Sequence, residues 1–272
     1  MNDLRIQIVN YRTKQYLIDC IESMREELEQ ADFSYSFALL DNASGDNLSD
    51  IPERFPWLKN TEIIQGDKNL GFGAGHNVLA KRGDAKYLLI LNPDLKFIEP
   101  DTIGRLLRAI KETGSQVVGP RLINAGGKVQ AWDHGEIRGI IARLAVSFGS
   151  DYWRKRKSPA PATWVSGAVM LISKEWFDNV GGFDDHFFLY KEENDLCLRI
   201  REIGGRVIYD PTVNVFHHSS VVAKKSEQMR ASADYYFEKH YRNRRTYPLL
   251  KIAHRILHCA YGKRTGTDPS KQ

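Results

Sequence analysis

Short apolar runs alternate with helical patterns in the first part of the chain, and this alternation limits the fold more than any other sequence feature. Leu17, Ile21, Met24 and Leu28 recur at spacings of four, three and four residues, which places them on one face of a helix. Seven runs have the length and composition of buried strands, and they span residues 6–11, 37–40, 62–64, 87–91, 116–118, 169–172 and 206–209. Because strand and helix alternate through about residue 120, the sequence predicts an α/β fold with a mainly parallel central sheet flanked by helices.

Two aspartates directly follow predicted strands. Open α/β sheets bind ligands at the carboxyl ends of their strands, where Asp41 and Asp94 both stand. Asp94 belongs to YLLILNPDLKF, residues 87–97, in which the apolar run stops at Asn92-Pro93-Asp94. A turn explains the proline and the asparagine but does not require a carboxylate. The stretch is therefore either a turn capped by Asp94 or a metal-nucleotide site, since a cation that bridges a diphosphate needs only one or two protein carboxylates.

Two loops carry further polar side chains. DNASGD, residues 41–46, is either an Asx turn or a place where the Asp41 carboxylate accepts hydrogen bonds from a nucleobase or ribose. NLGFGAGHN, residues 69–77, has three glycines at alternate positions just before a helix. The pattern is not GxGxxG, but glycines let the backbone approach a ligand closely, and Asn69 and Asn77 supply polar contacts.

Three acids crowd the start of a later predicted helix. Glu192, Glu193 and Asp195 follow an aromatic run in the segment WVSGAVMLISKEWFDNVGGFDDHFFLYKEENDLCLRI, residues 164–200. Acids in a first helical turn also complement the helix dipole, so at least one of them, for which we expect Asp195, is structural. Residues 215–220, VFHHSS, then end a strand with two histidines. Together with Asp94, one of these could complete a metal shell or hold phosphate.

The composition is that of a globular protein, with 272 residues of which 42% are hydrophobic. No stretch approaches the roughly 18 apolar residues of a membrane span, and the first residues lack the features of a signal peptide, so we expect a cytoplasmic location.

Three cysteines lie far apart without a CxxC pair, which indicates neither a disulfide framework nor a zinc site. Residues 123–161 are expected to form long loops with one short helix over 140–148.

The motifs, taken together and in order, are similar to those of family 2 inverting glycosyltransferases with the GT-A fold. They are IQIVNYRT, DNASGD, NLGFGAGHN, LNPD, WVSGAVMLI, GGFDDHFFLYKEENDLCLR and VFHH. The chain most resembles bacterial rhamnosyltransferases that build O-antigen and related surface glycans, and the resemblance covers roughly residues 5–220. It implies a GT-A (Rossmann-like) fold, a nucleotide-diphosphate sugar donor, Mg²⁺ or Mn²⁺ as cofactor, and transfer with inversion at the anomeric carbon.

The resemblance also implies roles for individual residues. Val9, Asn10 and Asp41 would contact the nucleoside. The ribose, diphosphate or sugar would be contacted by Asn69, Gly73 and Asn77. Asn92 would also bind the donor.

For the metal, the resemblance implies Asp94 and His217, the latter matching better than His218. The family commonly has an acid where this chain has Asn92, which leaves the metal less firmly held by protein. The general base falls on Glu193, with Glu192 as the alternative. A carboxylate in this position would take the proton of the acceptor hydroxyl, an effect worth roughly 10² to 10⁴ in rate.

The substrates implied by the resemblance are a sugar donor, for which L-rhamnose from dTDP-rhamnose is the best candidate, and a hydroxyl of a lipid-linked glycan. Another donor such as a UDP-hexose is an alternative. A nucleotide-binding oxidoreductase is disfavoured because the glycine loop follows the second strand rather than the first. The sequence does not indicate an oligomeric state.

Basic residues concentrate in the last part of the chain. Residues 221–272 hold 12 Lys and Arg against 4 Asp and Glu, which leaves 27 against 30 for residues 1–220. We therefore divide the chain into a GT-A domain over 1–220 and a basic helical extension over 221–272. The acidic balance of residues 1–220 and the lack of a recognised motif argue against nucleic acid. Apolar residues at helical spacing within 240–264 either bind an anionic membrane surface at the inner face of the plasma membrane or pack on the core.

Overall fold

The computed structural model of the protein describes residues 1–130, 132–135, 156–218 and 225–252. The helix predicted over 140–148 and the apolar residues of the extension beyond 252 lie outside these ranges. In the part of the chain that is described, no helix has the length and apolar character needed to span a bilayer.

Strands and helices alternate as the sequence predicts. The strands are β1 (Asn2–Asn10), β2 (Tyr35–Asp41), β3 (Thr61–Gln65), β4 (Ala85–Leu91), β5 (Leu95–Phe97), β6 (Val117–Ile123), β7 (His134–Gly135), β8 (Ala160–Pro161), β9 (Trp164–Val165), β10 (Val169–Ser173) and β11 (Val207–His217). The helices are α1 (Lys14–Ser23), α2 (Arg25–Glu29), α3 (Ile51–Arg54), α4 (Phe72–Ala80), α5 (Thr102–Thr113), α6 (Lys174–Asn179), α7 (Glu192–Glu202) and α8 (Lys225–Tyr241). Each of the predicted strands is present, so the α/β class is confirmed.

The central sheet has the order β3-β2-β1-β4-β10-β6-β11-β5, with β8 also paired to β11. Strands β3, β2, β1 and β4 run parallel, as do β6 and β11. Strand β10 runs antiparallel between β4 and β6, and β5 and β8 run antiparallel to β11. The predicted parallel order therefore holds on each side of β10. Strands β7 and β9 form a separate antiparallel pair.

Hydrophobic side chains fill both faces of the sheet. Alternate residues of β4 divide between the two faces, because successive side chains of a strand point in opposite directions. Leu89 and Leu91 pack in the cluster formed with α1, α2 and α5, whereas Leu88 and Ile90 pack with α6 and α7. Each such residue contributes about 1.5–3 kcal/mol by burial. The sheet is thereby held between two helical layers.

Two of the cysteines belong to this core. Cys20 and Cys197 are buried and form no disulfide. Burial raises the pKa of each thiol to about 12, so neither is a nucleophile near neutral pH. Both are small residues of the hydrophobic core.

Helix α8 packs on the part of the chain that precedes α7. The Ser232 hydroxyl donates to the Leu189 carbonyl at 2.7 Å, and the Tyr235 hydroxyl donates to Asp184 at 3.0 Å. Lys239 binds Asp184 at 2.7 Å. The division at residue 220 stays a prediction, but this first helix of the extension lies against the predicted GT-A domain.

Candidate active site

The parallel pairing of β1 and β2 sets Asn10 directly beside Asp41 at the carboxyl ends of the two strands. The Asn10 amide donates to Asp41 at 2.9 Å and to Asp46 at 2.9 Å, and its oxygen accepts from Thr13 at 2.8 Å. Asp41 also accepts from the Gln65 amide at 2.5 Å and is fully buried. The polar atoms of Asn10 and Asp41, two of the three predicted nucleoside contacts, thus shape the loop that follows β2.

Asn42 joins this strand end to the glycine loop. Its amide nitrogen donates to the Asn69 side chain at 2.9 Å and to the Gly71 carbonyl at 3.0 Å, and its oxygen accepts from the Leu70 backbone at 2.9 Å. Gly71 has φ +82°, and a Cβ at this position would collide with the Phe188 carbonyl oxygen. The loop therefore requires glycine here for backbone conformation and for close packing.

The remaining residues of the glycine loop pack α4 against its neighbours. A Cβ on Gly75 would lie 3.0 Å from Val9 Cγ2, and one on Gly73 would lie 2.9 Å from Phe183 Cβ. Asn77 accepts from the Phe183 backbone at 2.9 Å and donates to its carbonyl at 2.8 Å. It also donates to Asp185 at 2.7 Å. Val9, Gly73 and Asn77 thus hold α4 and residues 183–185 in place, and a direct contact of any of them with a donor stays a prediction.

Asp94 and His217 come together although 123 positions of sequence separate them. His217 Nε2 lies 3.3 Å from Asp94 Oδ1 and 3.3 Å from the Asn92 amide nitrogen. The three side chains meet because Asn92 directly follows β4, while β5 and the end of β11 pair in a register that matches Leu95 with His217. Burial alone would raise the pKa of Asp94, but when the His217 ring carries protons on both nitrogens, its Nε2–H hydrogen bond and its charge outweigh burial and hold the pKa of Asp94 below its ordinary value.

This pair fits a divalent cation that is shared with a diphosphate. Neighbouring ligands of an octahedral Mg²⁺ lie about 3 Å apart, since each is roughly 2.1 Å from the ion, and the 3.3 Å between the donor atoms of Asp94 and His217 is close to that value. Among the described residues, no three His, Cys, Asp or Glu side chains gather closely enough to hold a metal by themselves. A cation here would take its other ligands from phosphate oxygens and water.

Glu192 and Glu193 begin α7 and differ in their surroundings. Glu192 is buried, and its Oε2 atom has no hydrogen-bond partner among the described residues. Burial and the charge of Glu193 raise the pKa of Glu192 well above its ordinary value. Glu193 is only partly buried, and burial raises its pKa as well, against the opposing charge of Lys191. Of the two acids, Glu192 therefore has the surroundings that favour the protonated form more strongly.

The backbone turns sharply just before these acids. Tyr190 and Lys191 have φ of 71° and 73°, a conformation that costs non-glycine residues free energy of order 1–3 kcal/mol each. Asp195, one turn into α7, is fully buried and binds Arg199 at 2.7 Å, Lys239 at 2.6 Å and His240 at 2.7 Å. The expected structural role of Asp195 is confirmed, and its contacts with α8 fix the start of α7.

A short segment connects the acids to the metal pair. The Asn92 backbone N–H donates to the Ala168 carbonyl at 2.9 Å. At the adjacent Gly167, a Cβ would lie 3.7 Å from Glu193 Cβ and 3.1 Å from the Phe72 ring. Residues 167–168 thus contact Glu193 on one hand and Asn92, the neighbour of the Asp94–His217 pair, on the other.

Comparison with known proteins identifies the family. Residues 6–197 match the Glycosyl transferase family 2 profile, which is more than half of the chain. The chain belongs to this family. The resemblance of the sequence motifs to family 2 glycosyltransferases is confirmed, and the protein is a glycosyltransferase.

Individual relatives of this family 2 member carry more specific names. One is the low-salt glycan biosynthesis hexosyltransferase Agl10 of Haloferax volcanii, 25% identical over 253 residues, which are 90% of this chain and 75% of that protein. Another is the N-acetylglucosaminyl-diphospho-decaprenol L-rhamnosyltransferase of Mycobacterium tuberculosis, 28% identical over 209 residues, 68% of this chain and 67% of that one.

A solved structure shares the fold of this glycosyltransferase. The mannosyltransferase PcManGT of Pyrobaculum calidifontis, in complex with GDP-Man and Mn²⁺, superposes with a TM-score of 0.63 over 98% of this chain and 77% of that one. At 13% identity the likeness shows the fold alone. It confirms the predicted GT-A architecture.

Three residues that sequence reasoning missed complete this glycosyltransferase site. Asn42 holds the glycine loop, and Gln130 binds His217, as described below. With its side-chain amide turned to satisfy both neighbours, Asn194 donates to Glu193 at 3.2 Å and accepts from the Trp164 indole at 2.8 Å. The sequence shows an Asn beside the Glu-Glu pair, but it does not show that this Asn pairs with Trp164.

Proposed function

We propose that this protein is a metal-dependent inverting glycosyltransferase that moves a sugar from a nucleotide-diphosphate donor to a hydroxyl of a lipid-linked glycan. One observation carries the proposal. Asn92, which contacts His217 of the buried Asp94–His217 pair, bonds to Ala168, and Glu193, a carboxylate of raised pKa, lies beside the adjacent Gly167. A leaving-group site and a base at a single cleft are the arrangement that inverting transfer requires.

The residues divide the chemistry between them. Glu193 accepts the proton of the acceptor hydroxyl as that oxygen attacks the anomeric carbon, and its raised pKa brings its basicity closer to neutral pH. The buried Glu192 keeps its own proton, so that it does not compete as a base. Asp94 and His217 would hold a divalent cation, Mg²⁺ or Mn²⁺, which when bound supplies positive charge to the departing diphosphate.

The donor we favour is dTDP-L-rhamnose. The name of the Mycobacterium tuberculosis relative, which is 28% identical over 209 residues, supports a rhamnosyl donor. The hexosyltransferase name of the Haloferax volcanii relative supports a nucleotide-hexose such as a UDP-hexose as the second candidate. Family membership leaves the oxidoreductase and nucleic-acid alternatives without support.

A transfer assay decides among these donors. Purified full-length protein would be incubated with dTDP-rhamnose, UDP-glucose, UDP-N-acetylglucosamine or GDP-mannose, a polyprenyl-diphosphate-linked N-acetylglucosamine acceptor and Mn²⁺. We expect dTDP release and a product heavier by one deoxyhexose, with the inverted anomeric configuration by NMR. Transfer from a UDP-hexose alone would replace the donor assignment, and retention of configuration would overturn the mechanism.

The acceptor and the exposed end of the described chain together suggest a membrane surface. Leu249 is 72% exposed and Ile252 is 59% exposed, so neither packs on the core. Lys251 lies between them in sequence, and Arg244 and Arg245 precede them. Each basic residue near an anionic bilayer contributes about 1 kcal/mol, and the apolar side chains would enter the headgroup region. We therefore place the enzyme at the cytoplasmic face of the plasma membrane.

Vesicle binding tests this placement. Full-length protein should co-sediment with phosphatidylglycerol vesicles at low salt and be released by salt, and Leu249→Ser/Ile252→Ser should bind less. Substitution is preferable to truncation near residue 226, because α8 contacts Asp184 and Asp195. Ile203→Ser is the matched control, since Ile203, directly after α7, is similarly exposed. Equal binding by both variants would exclude this segment as the anchor.

A further inference from the structure

Gln130 makes two hydrogen bonds to the same histidine. Its Oε1 atom lies 2.9 Å from His217 Nδ1, and its amide nitrogen donates to the backbone carbonyl of His217 at 2.8 Å. His217 is 8% exposed, so these contacts are shielded from water. No other described side chain contacts Nδ1 within hydrogen-bond distance.

The carbonyl contact determines which way the amide points. A backbone carbonyl oxygen can only accept, so the NH₂ group of Gln130 has to face it. The Oε1 atom then has to face His217 Nδ1, and because Oε1 can only accept, the ring must carry its proton on Nδ1. In the neutral ring the lone pair is consequently on Nε2, the atom that faces Asp94.

The segment that carries Gln130 is itself fixed. The Gln130 backbone N–H donates to the Leu122 carbonyl at 2.8 Å. Three residues further on, the buried Asp133 accepts from the Tyr209 hydroxyl at 2.8 Å, and its carbonyl accepts from the Ser166 backbone at 2.9 Å. Gln130 is thus held at a set position relative to β11 rather than adapting to whichever tautomer His217 adopts.

We propose that Gln130 is a positioning residue that keeps His217 Nε2 unprotonated and directed at Asp94, ready to bind a divalent cation. The inference rests on the proposed metal-dependent function. It assigns a role to a side chain that does not itself touch the cation. Outer partners that fix the tautomer of a ligating histidine typically change metal affinity 10- to 100-fold when they are removed.

Mn²⁺ affinity is the first test. Free Mn²⁺ would be followed by electron paramagnetic resonance during titration of full-length protein with dTDP present. Gln130→Leu should weaken binding by about 10- to 100-fold, and Gln130→Glu, which keeps an acceptor for Nδ1–H, should bind more tightly than Gln130→Leu. Gln15→Leu is the matched control, because Gln15 is an exposed helical glutamine whose amide donates to Asp19 on the same helix. Wild-type affinity in Gln130→Leu overturns the proposal, as does an equal loss in both Gln130 variants.

The tautomer can be read without metal or nucleotide, which separates this inference from the proposed function. Two-bond ¹H–¹⁵N spectra of metal-free protein at about pH 8, where a free imidazole is neutral, should show the His217 proton on Nδ1 in wild type. A His217→Ala spectrum assigns the signal. Gln130→Leu should shift the population toward Nε2–H. An Nε2–H ring in wild type refutes the role of Gln130 even if Mn²⁺ binds. If instead Nδ1–H is found but Mn²⁺ does not bind, the metal-dependent function fails and the cation role of Gln130 with it.

Discussion

The two edges of the cleft use their polar residues differently. At the nucleotide edge, formed by the ends of β1 and β2 with the glycine loop, Asn10, Asp41 and Asn42 have their side-chain atoms engaged with other protein groups. At the acid and metal edge, Glu192 has an oxygen without a partner, and Asp94 faces His217.

The difference indicates that one edge maintains the shape of the site and the other carries its reactive groups. A buried polar group that is fully hydrogen-bonded stabilises one conformation, whereas a buried group without a partner costs free energy that the fold must supply elsewhere. The nucleotide edge therefore determines the form of the pocket. The acid and metal edge keeps strained backbone at Tyr190 and Lys191 and carboxyls of raised pKa, which are features of reactive sites.

The largest effect is expected at Glu193. Glu193→Gln keeps the size of the side chain but cannot accept a proton, so kcat should fall by roughly 10² to 10⁴ while donor affinity stays near wild type. Steady-state transfer kinetics and calorimetric titration with dTDP measure the two quantities. A loss of donor affinity equal to the loss of kcat would mean that Glu193 binds substrate instead.

Glu192→Gln provides the comparison within the pair. Because burial keeps Glu192 protonated, the neutral amide should support transfer far better than Glu193→Gln does. If Glu192→Gln loses activity and Glu193→Gln keeps it, the base lies one residue earlier.

The metal pair should show the next largest effect. Asp94→Ala removes one of the two protein ligands, so dTDP affinity in Mn²⁺ should drop to its metal-free value and transfer should be lost. Asp94→Asn should behave likewise while its melting temperature stays close to wild type, since the turn keeps its shape. Isothermal titration with and without Mn²⁺ measures the effect. Metal-independent dTDP binding of wild-type strength in Asp94→Ala would place the cation elsewhere.

At the nucleotide edge, substitutions should act first on stability. Asn42→Ala leaves the Leu70 N–H and the Gly71 carbonyl without their partner, which should cost about 1–3 kcal/mol in the free energy of unfolding. Urea denaturation measures this, with exposed Asn47→Ala as control. If Asn42→Ala instead keeps full stability and loses donor binding, its side chain contacts the donor and the contrast between the edges is wrong.

Strand positions could be predicted because buried strands carry an apolar pattern of their own. The exception is the far end of β11, which continues from Tyr209 to His217 although Asp210, Pro211 and Asn214 interrupt the pattern. The pairing with β6 shifts register between Asp210 and Asn214 and then resumes. A strand that continues past such an irregularity is held by its neighbours, so the sequence indicates strand at residues 206–209 and before His217 without showing that the two parts form one strand.

The site could be predicted only in part for a similar reason. Asp94, Glu192, Glu193 and His217 belong to motifs that are recognisable in order along the chain, and the structure brings Asp94 and His217 together. Gln130 lies in a polar stretch without periodicity, and its function depends on a contact with a strand 87 residues away. Roles that arise from tertiary contacts between loops leave no local pattern in the sequence.

The smallest predicted effect is a pH dependence of stability caused by Glu192. Its pKa in the folded protein lies well above the value of about 4.3 of an unfolded chain, so between these values the folded state holds a proton that the unfolded state has lost. Stability from this group is therefore complete below about pH 4.3 and declines as pH rises toward the folded pKa, by at most about 1.4 kcal/mol per pH unit. His76 acts in the opposite direction, since burial lowers its pKa to about 3 and acid destabilises the fold.

Glu192→Gln removes the pH dependence caused by Glu192 and leaves the one caused by His76. In urea denaturation at several pH values from about 5 to 8, this variant should gain stability relative to wild type as pH rises, whereas exposed Glu53→Gln should follow wild type throughout. Parallel curves for Glu192→Gln and wild type would show that Glu192 is not held protonated, and the two edges would then differ less than their hydrogen bonds indicate.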